Sequence, residues 1–153
     1  MTKPDRPILN LKAACACGKV ELVVAGTVRA MLLCSCLDCQ KATGAGHAAV
    51  VTVDAADVTV RGETTVFTRP ADSGAVFTRK FCPVCGTTVC AKSSRAPSWL
   101  MVPAGLFAGS NEWFQPNQLI FARSHQEWDV LAAALPRHEK YREAPANGEN
   151  DGR

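Results

Sequence analysis

Eight cysteines carry most of the chemical information in this sequence: Cys15, Cys17, Cys34, Cys36, Cys39, Cys82, Cys85 and Cys90. All but Cys90 fall into tight groups at 15–17, 34–39 and 82–85. In an oxidising compartment so many cysteines suggest a disulfide framework, whereas in a reducing one clustered thiols bind metal. Near neighbours such as Cys15 and Cys17, or Cys34 and Cys36, make awkward disulfide partners. Residues 1–19 contain basic residues but no continuous apolar stretch of the kind a secretory signal needs. A cytoplasmic setting and metal binding are therefore expected.

The pairs Cys15/Cys17 and Cys82/Cys85 are each followed directly by glycine, Gly18 and Gly86. A metal knuckle turns the chain tightly so that backbone N–H groups point at the sulfurs, and glycine accepts the positive φ this often requires. Four thiolates around Zn²⁺ give a closed tetrahedral shell with a formal charge of about −2, a structural site that contributes directly to folding. Because Cys17 and Cys82 lie far apart, such a metal clips an early hairpin to a late one. A small β domain gains from that staple.

Cys34, Cys36 and Cys39 supply three more sulfurs within one short loop. The chain has only three histidines, His47, His125 and His138, so a histidine-rich site does not fit this cluster. Three protein ligands with an open fourth position is the usual arrangement of a catalytic zinc. Its formal charge of about −1 lowers the pKa of bound water less than three neutral imidazoles do. A soft thiolate suits the open position better, and thiol capture is the chemistry this implies. Two other arrangements stay open. A second structural zinc would be completed by Cys90, His47 or a residue of a partner. A swapped assignment would pair Cys34 and Cys36 with Cys82 and Cys85.

In these motifs the sequence resembles the glutathione-dependent formaldehyde-activating enzyme family, whose domain is shared with centromere protein V. The matching residues are Cys15-Ala16-Cys17-Gly18, Cys34-Ser35-Cys36-Leu37-Asp38-Cys39, Gly44-Ala45 and Phe81-Cys82-Pro83-Val84-Cys85-Gly86-Thr87. Val102-Pro103-Ala104-Gly105, Trp128 and Leu135-Pro136-Arg137 extend the likeness over residues 9–140. The resemblance implies an all-β fold of small zinc-stapled sheets in a tent-like arrangement. It implies structural zinc on Cys15, Cys17, Cys82 and Cys85 and catalytic zinc on Cys34, Cys36 and Cys39, so two Zn²⁺ per chain. The implied activity is that of a carbon–sulfur lyase acting on glutathione and formaldehyde. Three positions depart from the family pattern. Ser35 stands where many relatives have histidine, His47 where an aromatic residue is common, and Cys90 where aromatic or aliphatic residues are usual.

The elements that must position these cysteines read as short strands. The chain of 153 residues, 47% hydrophobic and 20% charged, fits one globular domain. Its net charge of +3 is too small to argue for nucleic acid or an anionic membrane. No apolar run approaches the roughly 18 residues of a membrane span. Strands are expected at 9–14, 19–25, 29–33, 48–53, 58–61, 64–68, 75–81, 87–92, 99–102 and 118–123. Helical turns are expected at 37–43, ending at Gly44, and at 128–135, stopped by Pro136. An N-terminal arm (1–8), the zinc-binding domain (9–140) and a disordered tail (141–153) complete the organisation.

Several further residues are candidates for lesser roles. His47 is placed to serve as a proton shuttle or an extra ligand. Lys41, Arg79 and Arg123 are candidates for attracting the carboxylates of a glutathione-like substrate. Cys90 is expected to pack as a small hydrophobe, along with Phe81, Phe107, Trp113, Phe121 and Trp128. Expected partners are a small thiol, glutathione first, and a small electrophile, with no nucleic acid or membrane; oligomeric state is left open. The alternative is a non-catalytic zinc module that binds a protein partner. A protein side chain sealing the fourth position at Cys34, Cys36 and Cys39 would favour it.

Overall fold

Valine-rich, alternating stretches form nine strands in the computed structural model, which describes residues 5–143. They are β1 (Ile8–Ala14), β2 (Glu21–Cys34), β3 (Ala48–Asp54), β4 (Val58–Arg61), β5 (Thr65–Pro70), β6 (Val76–Phe81), β7 (Thr88–Ser93), β8 (Trp99–Pro103) and β9 (Leu119–Ile120). One α-helix, α1 (Leu37–Thr43), and three short 3₁₀ turns accompany them. The fold is mostly β, as expected. Residues 1–4 of the expected arm and 144–153 of the expected tail lie outside the described residues. Tyr141, at the start of that tail, packs edge-on against Phe121 with ring centres 4.9 Å apart.

β2 is the spine of the molecule. Its first half pairs with β1 and β4, and its second half with β3 and, in parallel, with β9. From β3 the sheet continues through β8, β7 and β6 to β5 at the edge. The sequence suggests two strands, 19–25 and 29–33, where the structure has this single one. Gly26 looks like a break but marks a close approach: a Cβ there would lie 2.0 Å from the Asp57 carboxylate. Beyond it, the register shifts between Val28 and Ala30, and Arg29 in the bulge pairs with Asp54 of β3. The bulge bends the strand while keeping it continuous.

A single core cluster draws on both halves of β2. Leu22, Val24 and Val28 pack with Leu9 and Ala13 of β1, Val51 and Val53 of β3, Val102 of β8 and Phe107. Each of the larger side chains, fully buried, contributes roughly 1.5–3 kcal/mol. Cys15, Cys82 and Cys90 belong to the same cluster.

Two expectations near the C-terminus are corrected. Residues 128–135 form no helix, only turns closed by Asp129 N to Gln126 O and Leu135 N to Ala132 O. Trp128 and Val130 are exposed, so the segment lacks the buried apolar face that would hold so short a helix. The strand expected at 118–123 shortens to β9 because Phe121 adopts a left-handed φ of 56° and leads into a 3₁₀ turn. Among the described residues no helix is long and apolar enough to cross a membrane.

Candidate metal centres

Two β-hairpin turns build the first cysteine set. Between β1 and β2, Cys15 N donates to Val20 O and Gly18 N to Cys15 O. Between β6 and β7, Cys82 N donates to Thr87 O and Gly86 N to Cys82 O. Both glycines sit at positive φ, 77° and 76°, with open space where a Cβ would go, so backbone conformation selects them. The turns aim backbone donors at sulfur: Val20 N lies 3.2 Å from Cys15 Sγ and Val84 N 3.4 Å from Cys82 Sγ. The Thr87 hydroxyl joins the knuckles, accepting from Ala16 N at 3.1 Å and sitting 3.2 Å from Cys85 Sγ. Hydrogen bonds from that hydroxyl, then from the Thr87 and Cys17 backbone, lower the Cys85 thiol to about 5.

The sulfur spacing fits zinc. Four sulfurs at about 2.3 Å from one tetrahedral ion stand about 3.8 Å apart. Cys15 and Cys17 sulfurs are 3.6 Å apart and those of Cys17 and Cys82 3.7 Å, and all four lie within 4.8 Å of one another.

The second set sits where β2 runs into α1. Cys34 ends the strand and Cys36 caps the helix, its sulfur accepting from Cys39 N at 3.3 Å. Gln40 locks the loop by donating from Nε2 to Ser35 O at 2.8 Å and to Ser124 O at 2.9 Å. Ser35 N donates to Ile120 O, and Ser35 itself is wholly buried with a hydroxyl that has no partner among the described residues. The three sulfurs lie within 4.8 Å of one another. Hydrogen bonds from Cys34, then Cys39, lower the Cys36 thiol to about 2, while the same contacts push Cys34 far above the usual thiol range. The three thiols are therefore strongly coupled, each one's ionisation bearing on the other two. A divalent ion suits this donor set, because it replaces shared protons with charge that all three thiolates can face.

The structure brings together both groups of sequence-predicted ligands and keeps them apart from each other. Among the described residues the swapped pairing does not occur and no fourth cysteine joins Cys34, Cys36 and Cys39: Cys90 lies in β7, 2% exposed among Val51, Val89 and Val102. Burial raises its thiol pKa. His47 is paired elsewhere, its Nδ1 2.7 Å from Asp129 Oδ2. His125 Nε2 approaches the same oxygen to 3.4 Å but is out of line, and remains buried without a hydrogen bond among the described residues. Arg123 pairs with Asp72 at 3.2 Å, and Lys41 is exposed on the last turn of α1. Arg79 lies between the rings of Phe67 and Phe81.

Two neighbours escaped the sequence reading, Asp129 and Arg69, and Thr87 entered it in the second knuckle motif without a role of its own. Arg69 Nη1 lies 3.2 Å from Asp38 Oδ2, on the helix between Cys36 and Cys39. Thr87 directly follows the knuckle glycine. The other two depend on partners distant in sequence.

The family model described as glutathione-dependent formaldehyde-activating enzyme matches residues 10–124, which hold both cysteine sets. The chain belongs to this family. No curated protein sequence gives a significant match. Among solved structures, the fold of this formaldehyde-activating-enzyme family member is similar to a crystal structure of a Rhodobacter sphaeroides protein. The TM-score is 0.54 at 23% identity, covering 67% of this chain and 92% of that one. That likeness concerns the fold.

Proposed function

We propose that the protein is a zinc-dependent carbon–sulfur lyase that captures glutathione or another small thiol and joins it to, or releases it from, a small electrophile such as formaldehyde. In this reading Cys15, Cys17, Cys82 and Cys85 hold a structural zinc, and Cys34, Cys36 and Cys39 a catalytic one. The carrying observation is that no further His, Cys, Asp or Glu atom closes on the three-sulfur set among the described residues. Membership of the formaldehyde-activating-enzyme family supports the same chemistry.

Bound there, zinc would supply positive charge that favours thiolate over thiol. In the forward direction the thiol sulfur adds to the carbonyl carbon and a C–S bond forms. The C=O π pair moves to oxygen, which takes up the proton the thiol gave up. The reverse reaction breaks the C–S bond and returns thiol and aldehyde, with no oxidant or reductant. Gln40 and the Ile120 carbonyl hold the cysteine loop still. His47, held by Asp129, precedes the β3 residue Ala48 that pairs with Cys34.

Cobalt substitution tests this directly. Glutathione should intensify the thiolate-to-cobalt charge-transfer bands and release about one proton per site near neutral pH. Cys36→Ala should show neither effect. An unchanged spectrum at saturating glutathione would overturn the thiol reading in favour of a zinc module that binds a protein partner.

A further inference from the structure

The β5–β6 hairpin alternates arginine with aromatic residues along one face. In its register Thr65 pairs with Phe81, Phe67 with Arg79 and Arg69 with Phe77, and paired residues project to the same side. The arginines lie over the rings: Arg69 is 4.5 Å from the Phe77 centre, and Arg79 is 5.4 Å from Phe67 and 5.8 Å from Phe81. The row continues across the sheet from Arg79 through Ala91, Met101 and Thr52 to Ala30. By alternation Ala30 shares its face with Cys34, at the end of the same strand. At the other end, Arg69 reaches α1 through Asp38. Its charge is felt at both Cys36 and Cys39.

Among the described residues both arginines keep guanidinium nitrogens without a protein acceptor. Asp38 is 57% exposed and Arg69 only 18%, so the carboxylate of that pair stands in water, where such pairs contribute little. Both polar contacts of Arg69, to Asp38 and to Pro70 O, are made by Nη1, leaving Nη2 and Nε for a planar anion. Arg79 has a buried Nε without a hydrogen-bond partner among the described residues. A buried guanidinium nitrogen with no acceptor costs free energy that a bound carboxylate would recover.

We propose that Arg69, with Arg79 beside it, docks a carboxylate of the thiol substrate, so that the enzyme selects small carboxylate-bearing thiols over neutral ones. This rests on the thiol-binding reading above and adds the residues that would set its specificity.

Calorimetry on the zinc-loaded protein separates the two ideas with three probes. Glutathione carries thiol and carboxylates, S-methylglutathione carboxylates without a free thiol, and 2-mercaptoethanol a thiol without charge. Arg69→Gln should weaken glutathione and S-methylglutathione about 10- to 100-fold and leave 2-mercaptoethanol unchanged. Arg69→Lys should recover part of the loss, because it keeps the charge without the planar fork. Arg79→Gln should act in the same direction, less strongly. Circular dichroism on each variant controls for folding, with Arg69→Lys and Arg79→Gln as the fallback should Arg69→Gln not fold. Unchanged glutathione affinity in the arginine variants would overturn this proposal, and a 2-mercaptoethanol response would leave the thiol reading standing. Arginine-dependent S-methylglutathione binding, with no thiol entering the cobalt shell, would support the carboxylate site and overturn the thiol reading.

Discussion

The two cysteine sets differ in how the chain delivers them. The nearest cysteines from the two knuckles, Cys17 and Cys82, are 65 residues apart, whereas Cys34, Cys36 and Cys39 belong to one strand-to-helix junction. Cys15 and Cys82 sit in the hydrophobic core cluster, and no member of the second set does. Around the first set, Val20, Val84 and Thr87 all direct donors at sulfur; in the second, Cys36 takes the one backbone donor, from Cys39. A set gathered from distant turns constrains the fold. A set on one loop is constrained by it, which leaves its chemistry free to serve a reaction.

The largest effect that could break this contrast is expected from Cys82→Ala. Losing a ligand that is also a core residue should abolish stable folding and zinc binding at the knuckles, read by circular dichroism and metal content. Cys36→Ala should instead stay folded, hold about one metal fewer per chain and lose thiol binding. Equal unfolding of the two variants would end the division of labour.

Thr87→Val sharpens the comparison at intermediate scale. It removes the hydroxyl shared by Ala16 N and Cys85 without touching a sulfur, and should weaken zinc at the first set about 10- to 100-fold while the second set is unaffected. Competition with a chromophoric chelator measures this, and loss from the second set would contradict it. The smallest effect belongs to Cys90→Val. Both metals should remain, with a modest loss of stability of about 1–3 kcal/mol, because valine brings one more carbon into a packed site. Loss of a zinc from either set in this variant would make Cys90 a ligand after all.

What could be read from the sequence follows from the range of the interactions involved. The knuckles were legible because close cysteines and a following glycine define a turn by themselves, and α1 because Cys36 and Gly44 cap it at both ends. Most strands were legible from runs of β-branched residues. The continuity of β2 was not, since Gly26 and Arg29 suggest a break until Asp57 and Asp54 come into view. The missing helix at 128–135 has a similar cause, because only the packed molecule reveals that Trp128 and Val130 have nothing to cover them. His47 could be singled out, but Asp129, 82 residues away, could not be assigned to it. Arg69 was missed for the same reason, as its position beside the cysteine loop is created by the sheet.

The separation of Cys17 from Cys82 also sets an order of assembly. On loop-closure entropy alone, drawing together a segment of that length costs about 2 kcal/mol more than closing the short loop from Cys34 to Cys39. During synthesis the ligands of the short loop are all available as soon as Cys39 has emerged, while the knuckles must wait for Cys85. Metal is therefore expected to reach the three-sulfur loop first and to seal the hairpins last. Cobalt bands followed during refolding should grow in that sequence, and a knuckle signal that leads would reverse it.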